Sequence, residues 1–272
     1  MSSKDKMGDR LKKYEQQEAG RKLIPLLPIC VRIDGKRFSR FTKGLARPFD
    51  KRFSDLMVNT TIHLVKETNA CIGYTQSDEI SLIYNNDNTL SEPYLGGKLQ
   101  KLCSILASET TAYFMFHLRD YLPEKGHSLA RFDCRVWNVP NKEEAANTLL
   151  WREFDAIRNS ITMAACEYFS HKELYLKNAS KMQEMLLNAG VDWEYYPNYF
   201  KRGTYVQNKV IASRYTLDEI ELLPELHQAR LNPDIIIKRR KVERLDMPPF
   251  STVTNRVGVI FNGEEPQLKG SP

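Results

Sequence analysis

The chain has 272 residues, 42% of them hydrophobic and 10% aromatic, which is enough for one large buried core or two small ones. No run approaches the roughly 18 apolar residues of a membrane helix, and no internal repeat or low-complexity tract is present, so membrane-spanning and collagen-like classes are excluded. The net charge of +6 is uneven: residues 1–50 hold 13 Lys and Arg against 6 Asp and Glu, a local balance of +7 that favours an anionic partner. Cys30, Cys71, Cys103, Cys134 and Cys166 are odd in number and never spaced as Cys-x-x-Cys, which argues against a disulfide framework or a zinc ribbon. The N-terminus lacks the apolar segment of a secretion signal and is too acidic for a transit peptide, so a cytoplasmic location is expected.

Residues 29–34 predict a short strand ending in an Asp-Gly turn. Residues 50–69 predict a helix with Phe53, Leu56, Met57, Thr60 and Leu64 on one face and Asp50 as its cap. The runs 71–76 and 80–84 predict a hairpin turning through Ser77-Asp78-Glu79. Residues 97–120 space Leu99, Leu102, Cys103, Leu106, Tyr113, Phe114 and His117 as a helix does, and 131–138 alternate as a strand. The order β-α-β-β-α-β is the split βαβ, or ferredoxin-like, arrangement, an α+β class with an antiparallel sheet. Helices are expected at 142–169, with Leu150, Phe154, Ile157, Ile161 and Tyr168 on its buried face, and at 171–188. A further strand is expected at 204–212. Beyond 232 the prolines multiply, and residues 233–272 read as an extended C-terminal extension to a single domain over 1–232. Trp137 and Trp151 are expected in the core, and the run Lys238-Arg239-Arg240-Lys241 is read as a solvated charge run or a phosphate contact.

In such a sheet the first and third strands are adjacent and antiparallel, so Asp34 and Asp78 are expected to meet at one edge. Two neighbouring carboxylates are costly unless a cation neutralises them. Mg²⁺, hard and content with one or two carboxylates plus substrate phosphates, suits them, and two such ions could clamp a phosphoryl displacement. Glu79 is a possible third carboxylate. Gly35 permits close backbone approach, and the loop Lys36-Arg37-Phe38-Ser39-Arg40 offers amides and cations to a triphosphate. Lys98 and Lys101 could reach a second nucleotide or a nucleic-acid end. Tyr195, Tyr196 and Tyr199 beside Lys201 and Arg202 could mix stacking with phosphate binding or belong to the core.

The segment Arg32-Ile33-Asp34-Gly35-Lys36-Arg37-Phe38-Ser39-Arg40-Phe41 resembles the first metal motif of the tRNA(His) guanylyltransferase family, and Gly73-Tyr74-Thr75-Gln76-Ser77-Asp78-Glu79 resembles the second. Phe132-Asp133-Cys134-Arg135, Trp151-Arg152 and Lys201-Arg202-Gly203-Thr204 match further blocks in order, over about residues 8–212. The resemblance implies a polymerase-palm-like fold, a homotetramer, and 3′→5′ addition of nucleotides to the 5′ end of tRNA. It implies two Mg²⁺ held by Asp34, Asp78 and the Gly35 carbonyl, with ATP, GTP and other nucleoside triphosphates as substrates. It places residues 34–39 (Asp34, Gly35, Lys36, Arg37, Phe38, Ser39), Ser77 and Asp78 on the incoming nucleotide. It puts Arg47, Asp50, Lys98, Lys101 and Ser108 at the activation site or RNA 5′ end, and Arg135, Arg158, Asn159, Lys201 and Arg202 on tRNA. The forms Arg47-Pro48-Phe49-Asp50 and Arg158-Asn159-Ser160 resemble the bacterial and phage branch, which repairs 5′-truncated tRNAs by templated addition, rather than the eukaryotic enzymes that add a guanosine to tRNA(His). A nucleotide cyclase on the same sheet and a non-catalytic tRNA-binding protein are the alternatives; the hairpin lacks the paired glycines of diguanylate cyclases.

Overall fold

The computed structural model describes residues 6–87 and 92–270. The elements run α1 (Lys6–Ala19), β1 (Ile29–Gly35), α2 (Phe38–Phe41), α3 (Lys51–Thr68), β2 (Ile72–Gln76), β3 (Glu79–Tyr84), α4 (Leu99–Tyr121), β4 (Phe132–Asn138), α5 (Lys142–Ala165), α6 (His171–Leu174), α7 (Ala179–Asn188), α8 (Asn198–Lys201), β5 (Thr204–Arg214), α9 (Leu217–Leu222), α10 (Gln228–Leu231), β6 (Ile236–Leu245) and α11 (Arg256–Asn262). The sheet order is β4-β1-β3-β2-β5-β6, with every pairing antiparallel. Its first four strands are the ferredoxin-like core.

Alternation along β1 separates two cores. Ile29, Val31 and Ile33 face α3 and α4, where Leu56, Leu64, Leu102, Leu106 and Phe114 are buried with them. Cys30 faces α5, beside Ile72, Tyr74, Ile83, Ala145, Leu149 and Ala156. A third cluster joins the end of α5 to α7, Trp193 and Phe200. The predicted face of α3 is the buried one, and Asp50 caps it by accepting from the Arg52 amide.

Several expectations change. The helix expected over 171–188 divides in two: Leu176 has a left-handed φ of 59°, while Ser170 forms a capping box with Glu173 and Asn178 caps the second piece. α5 buries its small residues Ala145, Ala146, Ala156, Ser160 and Ala164, whereas Phe154 and Tyr168 are exposed, because small side chains let the helix lie close on the sheet. Trp151 is half exposed, with the Arg152 guanidinium 4.6 Å from its ring centre; Trp137 is partly buried. α1, unforeseen in the polar N-terminal sequence, buries no side chain.

The C-terminal region is not a free tail. β6 pairs with β5 along its length, and Phe250, Val253, Val259 and Ile260 fill the core beside Tyr205. The charged run within β6 is largely committed at home. Arg239 pairs with Glu219, Arg240 bonds Asn69 and Lys241 pairs with Glu243.

Candidate active site

Asp34 ends β1 and stands in register with Glu79 on β3 and Asp133 on β4. The β2–β3 turn has two central residues, Ser77 and Asp78, with Ser77 in the left-handed region at φ 54°. The Gly35 amide donates to the Asp78 carbonyl at 3.1 Å, which ties the turn to the end of β1. Asp34 and Asp78 therefore share one margin, as the strand order requires. Both line a cavity of about 310 Å³ closed by Arg32, Tyr74, Gln76, Ser77 and Glu79 from the sheet and by Arg152, Ala156, Asn159, Thr162 and Met163 from α5.

Burial raises the Asp78 carboxyl above its ordinary pKa and the charge of Asp34 adds to the effect, against hydrogen bonds from its own amide and the Ser77 hydroxyl. A cation between the two acids would relieve that repulsion. Among the described residues no group of three or more His, Cys, Asp and Glu side chains is gathered to hold a metal. Two carboxylates and a backbone carbonyl nevertheless fit Mg²⁺, which keeps waters and takes phosphate oxygens.

Gly35 is needed for packing as well as for access. A Cβ there would fall 2.3 Å from the Phe38 ring. Phe38 is itself buried among Phe41, Phe53, Phe114 and Phe132, so of this residue only the backbone is available to a ligand. Lys36, Arg37 and Ser39 are exposed, and the loop is pinned by the Lys36 amide on the Arg131 carbonyl at 2.8 Å.

Glu79, the possible third carboxylate, is committed to two arginines. Its Oε2 accepts from Arg152 Nη2 at 2.7 Å and lies 2.8 Å from Arg32 Nη2, and its Oε1 accepts from Arg152 Nε. Burial raises its pKa, opposed by Arg152. Nothing in the sequence announced this cluster, since Arg152 is 73 positions away.

A second cavity of about 310 Å³ adjoins the first, sharing Gln76, Ser77, Thr162 and Met163. Its walls include Ser39, Ala46, Arg47, Phe49, Tyr199 and Phe200. Arg47 is exposed there, 3.7 Å from Glu167. Asp50 also lines it, but its oxygens are taken by Arg52 and the Ala46 amide, which hold its carboxyl below the ordinary range.

The remaining residues divide. Arg135 lies 3.4 Å from Asp133 and 3.9 Å from Asp34, at the site, and Asn159 lines the first cavity. Arg158 is exposed and paired with Asp155. Lys201 is buried, donating to the Glu194 carbonyl at 2.6 Å and carboxylate at 3.0 Å, so it is not exposed for RNA. Arg202 holds Asn198 beside Tyr199, which lines the second cavity, and Tyr196 packs on Phe49. Lys98 and Lys101 sit at the opposite end of the sheet. Lys98 bridges Lys22, and the adjoining Ile24 amide bonds Asn138, opposite Ile29 at the start of β1. Six steps of about 3.3 Å put that end about 20 Å from Gly35. Ser108, exposed on α4, donates to the Ile105 carbonyl of its own helix.

The family model for tRNA(His) guanylyltransferase matches residues 8–140. A solved bacterial guanylyltransferase-like protein in complex with ATP superposes with a TM-score of 0.73 at 32% identity, over 90% of this chain and 94% of that one. A bacterial guanylyltransferase-like protein in complex with GTP gives 0.68 at 31%, over 91% and 94%. The tRNA(His) guanylyltransferase of Neurospora crassa is 29% identical over 213 residues, 72% of this chain and 70% of that protein. Motif order, palm-like sheet and structural likeness over nine-tenths of the chain agree: it belongs to the tRNA(His) guanylyltransferase family and is a nucleotidyltransferase.

Proposed function

We propose that the chain is a template-dependent 3′→5′ nucleotidyltransferase that lengthens the 5′ end of tRNA, repairing 5′-truncated molecules. The observation that carries this reading is the meeting of Asp34 and Asp78 beside a loop bearing Lys36 and Arg37, an anionic pair fringed by cations. ATP would first adenylylate a 5′-monophosphate, whose oxygen attacks the α-phosphorus of ATP and displaces pyrophosphate. The 3′-hydroxyl of the incoming nucleotide would then attack that phosphorus and expel AMP.

Asp34, Asp78 and the Gly35 carbonyl would hold Mg²⁺, which when bound lowers the cost of the attacking alkoxide and offsets phosphate charge. Lys36, Arg37 and the hydroxyls of Ser39 and Ser77 would orient the triphosphate. The aromatic walls of the second cavity, Phe49, Tyr199 and Phe200, suit a nucleobase. In-line orientation supplies the rest, and no protein nucleophile is required. Lys98 and Lys101 lie too far off to act at their own chain's pair; in the homotetramer implied by the family resemblance, a neighbouring copy would bring them.

The test is incubation with a tRNA lacking its 5′ nucleotide, ATP, nucleoside triphosphates and Mg²⁺, resolving 5′ ends by electrophoresis. Extension should occur and should vanish in Asp78→Ala. Undiminished extension by that variant would falsify the site, and cyclic nucleotide formed without RNA would favour a cyclase.

A further inference from the structure

One face of the sheet carries charge in rows. Asp133, Asp34 and Glu79 stand side by side across β4, β1 and β3; two residues along, Arg135 and Arg32 are neighbours. Adjacent carboxylates repel unless cations come between them. Arg32 serves them unequally: its Nη2 is 2.8 Å from Glu79 Oε2 but 3.8 Å from Asp34 Oδ2. Glu79 is gripped from the other side by Arg152, which is buried and also tied to Asp155. Arg135 stays 3.9 Å from Asp34. Neither guanidinium is within hydrogen-bond distance of the Asp34 carboxylate.

We infer that Glu79, fixed by Arg152, is a positioning residue that holds Arg32 off Asp34 and so keeps the Asp34 carboxylate open to a divalent cation. This rests on the reading that Asp34 and Asp78 are the cation's ligands. Arg32 and Asp34 lie two apart on one strand and share a face, so Arg32 has a short swing available. A guanidinium forked onto Asp34 would occupy its oxygens and cancel the charge that attracts Mg²⁺. Glu79 prevents this by offering Arg32 a better-placed acceptor, without touching the cation itself.

The experiment measures Mn²⁺ binding to the full chain, without nucleotide, by the paramagnetic resonance of free Mn²⁺, with thermal melting alongside. Glu79→Gln keeps the shape and removes the charge. It should weaken Mn²⁺ binding about tenfold or more, and adding Arg32→Gln should restore most of the loss. A role in stability alone would not give that rescue. If Glu79→Gln binds normally while Asp78→Asn does not, the inference falls and the ligand reading stands. If the double variant binds as poorly as the single one, Glu79 is a ligand in its own right and the inference falls. If Asp34→Asn and Asp78→Asn both bind normally, the ligand reading fails first. Should Glu79→Gln not fold, Arg32→Gln alone decides: it must bind Mn²⁺ at least as tightly as the unaltered chain, and weaker binding overturns the inference.

Discussion

Gly203 and Gly190 make a matched pair. Both are in the left-handed region, at φ 81° and φ 78°. A Cβ on Gly190 meets nothing within 4 Å, whereas one on Gly203 would fall 2.7 Å from both the Thr75 carbonyl oxygen and Tyr74 Cε2. Alanine costs about 1–2 kcal/mol at such a φ, offset by about 0.4–1 kcal/mol from the stiffer unfolded chain. Gly190→Ala should therefore destabilise by about 1 kcal/mol. Gly203→Ala adds overpacking of about 1–3 kcal/mol against backbone and a buried ring. Its total of about 2–4 kcal/mol is a large part of a stability of about 5–15 kcal/mol. The displacement also has a direction. Tyr74 donates to the Arg202 carbonyl at 2.9 Å, and β2 ends at the turn carrying Asp78. Urea denaturation should give unchanged slopes and midpoints ordered unaltered chain, Gly190→Ala, Gly203→Ala, and only the last should also slow 5′-end extension. Equal destabilisation by the two substitutions would refute the steric reasoning.

Other expectations follow the same logic. Glu153 is buried, accepting from the Tyr205 hydroxyl at 2.9 Å and the Phe250 amide at 2.8 Å, and burial raises its pKa. An acid whose pKa is raised by folding loses stability as pH climbs from its unfolded value; relative to the unaltered chain, Glu153→Gln should thus melt higher at pH 8 than at pH 4, and a pH-independent difference would contradict this. Asp50 has the opposite sign, its carboxyl lowered by Arg52. Asp50→Asn should destabilise by about 1–2 kcal/mol at pH 7, with the deficit shrinking as pH falls through the carboxylate range, read from melting curves across pH. Cys166 is exposed on the wall of the second cavity while burial pushes the Cys30 thiol up to about 11. Maleimide should label Cys166 first and ATP or GTP should slow it, which mass spectrometry of the labelled peptides would show; labelling unchanged by nucleotide would argue against the cavity as a base pocket.

The pairing of Asp34 with Asp78 was legible because strand order alone imposes it. Glu79 was not, since its role depends on Arg152 arriving from a helix far along the chain. Lys201 stands beside Arg202 in a basic motif, and only packing reveals that its ammonium is spent on Glu194. That Lys98 and Lys101 lie at the end of the sheet away from Asp34 was hidden, because sequence carries no sense of which end of a sheet a helix begins on. β6 escaped because none of its residues is fully buried, so Ile-Ile-Lys-Arg-Arg-Lys offers no buried alternation to read. The small-residue stripe of α5 hid behind larger neighbours for a related reason: close approach to a sheet selects size, whereas periodicity detects hydrophobicity.

Glu153 has a consequence beyond its own burial. It follows Arg152 directly on α5, and it receives the amide of Phe250 from the last portion of the chain. The helix that steadies Glu79 is thereby latched by residues that come long after both carboxylate motifs. Trimming the chain behind β6 would unfasten that latch, and the damage would surface at the carboxylates rather than at the cut.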